Sequence, residues 1–179
     1  MRAAERIVDR ARARTEVEAW RSRAERVVFC NGVFDLLHVG HARYLSEARD
    51  LGDRLVVGVN GDASAAALKG PGRPVMGERD RAMLIAALRA VDLVVLFDEP
   101  TVDGLLGELR PAVHAKGTDY RTDTVPERAT VAALGGVTAI TGDPKQHASR
   151  ELVERVRSRG GGPAASGDPS QSAKSSTRK

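Results

Sequence analysis

Along the chain, short apolar runs rich in β-branched residues alternate with longer stretches of helical spacing. The runs cover residues 27–30, 55–60, 93–97, 112–116 and 137–140. The helical stretches between and after them cover 41–50, 63–68, 78–90, 102–109, 126–134 and 149–157. Strands that alternate with helices are joined by right-handed crossovers, which make a parallel sheet with both faces covered. The fold class expected is therefore α/β, a Rossmann-like open parallel sheet with helices on both faces.

Two segments fall outside this alternation. Residues 1–25 are rich in Ala, Arg and Glu, with Ile7, Val8, Val17 and Trp20 as their large apolar positions, and read as a helical extension packed on the outside of the core. Residues 158–179 shift to Gly, Pro, Ser, Ala and Lys and have no side chain able to offset the entropy of ordering, so they are expected to be a disordered tail. One folded domain, 26–157, lies between.

Composition narrows the setting. A single cysteine, Cys30, excludes an intramolecular disulfide framework, and no stretch approaches the roughly 20 apolar residues of a membrane span. The expectation is a cytoplasmic protein with no membrane partner. The net charge of +4 is spread along the chain and no aromatic platform accompanies it, which points away from nucleic acid and toward small phosphorylated ligands.

The chemistry concentrates after the first strand of the core. Asn31-Gly32-Val33-Phe34-Asp35-Leu36-Leu37-His38-Val39-Gly40-His41 reads as strand end, glycine-containing loop and helix start. In open parallel sheets, ligands bind at the carboxyl ends of strands. Gly32 and Gly40 allow close backbone approach there. His38 and His41, three apart on a first helical turn, can face one anion beside the unpaired N–H groups of the helix end. A polar helix start and a metal pair are the competing readings, but Cys30, His114 and His147 complete no recognisable zinc spacing.

Further along, Lys69 and Arg73 stand in Lys69-Gly70-Pro71-Gly72-Arg73-Pro74, where the glycines and prolines favour a loop presenting two cations. On charge alone, this is a solvated basic loop. Asp35 and Asp62, at strand ends, suit sugar hydroxyls, a metal-bound water or a turn cap. Asp119 lies in Lys116-Gly117-Thr118-Asp119-Tyr120 after a later strand, as a cap or a ligand contact. Ser149 is a natural N-cap for the final helix.

Together these segments resemble the HxGH nucleotidyltransferase superfamily in its cytidylyltransferase-like branch. Within that branch the chain is most similar to the heptose 1-phosphate adenylyltransferases, including the C-terminal half of the bifunctional heptose kinase/adenylyltransferases. The resemblance also runs through 51–53 and 56–62 and so spans nearly the whole core. It implies catalytic roles for His38, His41 and Lys69. It implies nucleotide contacts at Asn31, Gly32, Phe34, His38, His41, Lys116, Asp119 and Ser149, and substrate contacts at Asp35, Asp62, Lys69, Arg73 and Arg81. For Arg81 a surface salt bridge is the competing reading. The chain keeps Ser149 but has Ala148 and Arg150 where relatives carry a hydroxyl cluster.

The activity so implied is AMP transfer from ATP to a heptose 1-phosphate, with Mg²⁺ arriving on the triphosphate and no protein-held metal assigned. Two alternatives stay open. One is cytidylyl transfer from CTP to glycerol 3-phosphate or another alcohol phosphate, and the other is a non-catalytic nucleotide-binding protein on the same fold. The apolar positions of the N-terminal stretch fit either a cover or a homodimer contact, and the resemblance leans toward the dimer.

Overall fold

A computed structural model of the chain describes residues 2–143 and Ser158. By internal packing, Met1–Ser149 form one unit and Arg150–Lys179 another, of which only Ser158 is described, exposed and helical. The final helix expected at 149–157, including Ser149, lies outside the described residues, as does the expected tail beyond Ser158.

Among the described residues, six strands form one sheet: β1 (Ile7–Val8), β2 (Val27–Gly32), β3 (Arg54–Asn60), β4 (Leu93–Phe97), β5 (Val113–Gly117) and β6 (Val137–Thr141), in the order β1-β4-β3-β2-β5-β6. Every pairing is parallel. The helices are α1 (Arg10–Ser22), α2 (Val39–Arg49), α3 (Asp62–Lys69), α4 (Glu78–Ala86), α5 (Asp103–Leu109) and α6 (Arg128–Ala133). The α/β reading holds, and all five expected apolar runs are strands.

Side-chain alternation along β2 explains why Val27–Cys30 are apolar at every position: both faces of the strand are covered. Val28 and Cys30 point to one face, where Tyr44, Leu45 and Ala48 of α2 and Ala82, Ile85 and Ala86 of α4 close over them. Val27 and Phe29 point to the other, against Ala13, Val17 and Trp20 of α1, Leu105, Leu106 and Leu109 of α5, and Val131 of α6.

The N-terminal stretch is more than a cover. Ile7 and Val8 register with Val94 and Val95 and add an edge strand to the sheet. The Asp9 carboxylate then accepts from the backbone N–H of Arg12 at 2.8 Å and caps α1. Two residues are too few to show a strand period, so the sequence reads there as helix alone.

The strand order also locates the cleft. From β2 the chain builds outward through β3 and β4 on one side, and through β5 and β6 on the other. The switch point falls between β2 and β5, and ligand crevices in open α/β sheets open there.

Candidate active site

His38 occupies the N-cap position of α2, with extended backbone at φ −137° and ψ 171°. Its backbone N–H donates to Nδ1 of His41 at 3.4 Å, and the two rings stack with centroids 3.9 Å apart. An Nδ1 that accepts leaves the proton of a neutral imidazole on Nε2. His41 is neutral: burial, then the neighbouring His38 and Lys69, lower its pKa from 6.5 to about 4, partly opposed by Asp119. Lys69 and Asp119 thus bring residues from the α3 end and from the loop after β5 to the same imidazole. The histidine pair therefore offers an N–H donor, beside the positive end of α2, to an incoming anion.

Phe34 lies underneath. It is buried, with its ring edge-on to His41 at 5.4 Å and 70°. A Cβ on Gly32 would stand 3.2 Å from the Phe34 ring, so the glycine gives that ring room. Phe34, one of the expected nucleotide contacts, thus also supports the histidine wall. Phe34 and Leu36 both adopt left-handed backbone, φ 52° and 55°. Such conformations cost non-glycine residues about 1–3 kcal/mol each and persist where the surroundings over-determine them.

Those surroundings are charged. Asp35 is buried and accepts from Arg73 Nη1 at 2.6 Å, Val75 N at 2.9 Å and Met76 N at 3.3 Å. Arg81 is fully buried; it donates to the Val33 carbonyl at 2.6 Å, the Met76 carbonyl at 2.9 Å and Asp62 Oδ1 at 2.8 Å. The salt bridge that competes with a substrate role for Arg81 is present, to Asp62, but its guanidinium end is fully buried and only the carboxylate end reaches the surface. Asp62 opens α3 half exposed, its pKa lowered by Arg81 first. Asp35 and Arg73, both expected at the substrate, are paired with each other.

Lys69 differs from the other cations. It is the last residue of α3 and not a loop residue, because the helix continues until Gly70 turns the chain at φ 86°. It is exposed and, among the described residues, has no ion pair.

Across the switch point, β5 contributes a second polar group. Lys116 is buried; its Nζ donates to Asn31 Oδ1 and Glu127 Oε1, both at 3.2 Å, and lies 5.0 Å from the Tyr120 ring. His114 Nε2 sits 3.0 Å from the same Asn31 oxygen. Burial, then Lys116, lower the His114 pKa to about 3. In the sequence His114 figures only among the residues that complete no zinc spacing, and Glu127 does not stand out. For His114 the signal was present, because alternation along β5 puts it on the face of Lys116. Nothing local marks Glu127.

Among the described residues, no cluster of three or more His, Cys, Asp and Glu side chains is placed to hold a metal ion. Nor is any helix there long and apolar enough to cross a membrane.

The cytidylyltransferase-like family pattern matches residues 29–157. The chain is 49% identical over 142 residues to the bifunctional protein HldE of Methylobacillus flagellatus, covering 79% of this chain and 29% of that protein. It is 47% identical over 152 residues to HldE of Magnetococcus marinus, covering 85% and 31%. The chain thus spans about three tenths of the length of these relatives. Among solved structures, a lipopolysaccharide core biosynthesis protein from Thermoplasma volcanium superposes with a TM-score of 0.59 at 31% identity, over 68% of this chain and 99% of that one. A sheet with its switch point at the HxGH loop, and a family pattern that starts at Phe29 on the strand before it, have one reading: the chain belongs to the cytidylyltransferase-like family.

Proposed function

We propose that this chain is a nucleotidyltransferase that moves AMP from ATP to a heptose 1-phosphate, giving an ADP-heptose and pyrophosphate. The observation that carries the reaction class is the stacked His38–His41 pair at the start of α2, with Lys69, which has no ion pair among the described residues, as an electrostatic neighbour. The choice of acceptor rests on the motif's resemblance to heptose 1-phosphate adenylyltransferases and on the similarity to HldE. The description of the Thermoplasma relative, which concerns lipopolysaccharide, is in keeping with a sugar acceptor.

In this reaction a phosphate oxygen of the acceptor attacks the α-phosphorus of ATP. The bond from that phosphorus to the bridging oxygen breaks, and the electron pair leaves with pyrophosphate. A phosphate monoester is already nucleophilic at neutral pH, so no general base is required. The residues align two anions that repel each other and meet the charge that develops on the α-phosphoryl and leaving groups. His41 serves through Nε2–H, and Lys69 through an ammonium that no carboxylate among the described residues neutralises. Asn31 serves through its amide at the switch point. Mg²⁺ carried on the triphosphate would screen the phosphate charge, and no step is routed through it.

The test measures pyrophosphate release for ATP, CTP, GTP and UTP, each with heptose 1-phosphates and with glycerol 3-phosphate. ATP with a heptose 1-phosphate is the pair expected to turn over, and chelation with EDTA is expected to stop it. Turnover only with CTP and glycerol 3-phosphate would replace the substrate assignment. Nucleotide binding without turnover of any pair would leave a binding protein.

A further inference from the structure

We infer that Arg81, together with Asp35, is a positioning residue that sets the gap between the histidine wall and the segment presenting Lys69. Arg81 is fully buried and so reaches no ligand directly. Its guanidinium joins three pieces of chain: the Val33 carbonyl before the histidine loop, the Met76 carbonyl before α4, and the Asp62 carboxylate at the start of α3. Asp35 ties the same two loops from the other side, accepting from Val75 N, Met76 N and Arg73 Nη1.

Each wall of the site is held at a sensitive place. On the histidine side, the anchors bracket Phe34, whose left-handed backbone needs support and whose ring edge packs on His41. On the cation side, Asp62 begins α3, Lys69 ends it, and Met76 lies beyond the loop that follows, so the anchors hold both ends of the segment carrying Lys69. A planar guanidinium can span three acceptors in fixed directions, and a lysine ammonium at the same position cannot. Movement of either wall separates two groups that must meet one triphosphate together.

The inference rests on the proposed reaction for its kinetic arm only. Arg81→Lys and Asp35→Asn are compared with wild type and with Leu109→Ala, a destabilising control in the core cluster on the opposite face of the sheet. Both variants are expected to lower kcat on the order of a hundredfold, with little change in KM, as a misplacement of about 1 Å does. The second arm needs no turnover: the His41 imidazole is titrated by NMR. As Lys69 moves away and the ring gains water, the His41 midpoint is expected to rise from about 4 toward 6.5 in both variants and to stay put in Leu109→Ala. If Arg81→Lys does not fold, Asp35→Asn decides, since it keeps the shape and an acceptor for the backbone N–H groups. Wild-type kcat and an unmoved His41 midpoint in variants that lose only thermal stability would overturn the inference. An inactive wild type would remove the proposed reaction and leave the titration to judge the positioning.

Discussion

The ammonium of Lys116 stands 3.2 Å from Oδ1 of Asn31, and this contact fixes which way the amide faces. A lysine only donates, so the amide oxygen, not its nitrogen, must be turned to it. His114 Nε2, 3.0 Å from the same oxygen, is then also a donor, which puts the proton of this neutral imidazole on Nε2. The NH₂ of Asn31 is left facing away from β5 as a donor at the switch point.

Lys116→Met should show how firmly that arrangement is built. It leaves Glu127 buried without its cation, and breaking a buried pair in this way costs about 3–5 kcal/mol. Urea unfolding should register a loss of that order, and Lys116→Met combined with Glu127→Leu should recover most of it. If the double variant is as unstable as the single one, the pair is not what Lys116 contributes.

Stability should rise with pH between about 4 and 6.5. The folded pKa values of His41, about 4, and His114, about 3, lie below their ordinary value of 6.5. In that window the unfolded chain binds protons that the folded chain does not, so falling pH favours unfolding, by at most about 1.4 kcal/mol per pH unit for each imidazole. Denaturation at pH 7 and pH 5 checks the sign, and His114→Asn should flatten the dependence.

Triphosphate binding should draw a proton onto His41. Anionic oxygens beside the ring favour the imidazolium and reverse the shift that burial imposes. Calorimetry at pH 6 in buffers of different ionisation enthalpy should detect net proton uptake, and His41→Ala should abolish it. The same variant should reduce turnover by about 10²–10³, as loss of one transition-state donor does.

Lys69→Ala should separate activity from stability cleanly. Lys69 is exposed and unpaired among the described residues, so its removal should change stability by no more than about 0.5 kcal/mol. Turnover should fall by about 10²–10³. Unchanged turnover with ATP would take Lys69 out of the reaction.

Much of this was legible in the sequence because it is local or periodic. Apolar strand runs showed the parallel sheet, and eleven consecutive residues around His38 and His41 marked the ligand end of β2. Long-range pairing was not legible. Arg81 meets Val33 across 48 positions and Arg73 meets Asp35 across 38, so nothing local in the sequence shows that these residues hold loops together. The same limit hid Glu127, since a lone acid shows nothing of the buried lysine it will face. Shorter features failed for lack of length: Ile7–Val8 is below any period, and α4 stops at Ala86, not Ala90, as the chain turns toward β4.

Cys30 sits on β2 one residue before Asn31, and burial with no exposed surface pushes its thiol up to about 12. Burial and protonation together hold this thiol back from alkylating probes and oxidants in the folded chain. The protein is in effect a cysteine-free background for labelling. A single Arg79→Cys on the exposed side of α4 would carry one fluorophore, and its signal could follow that helix during turnover without removal of the native thiol.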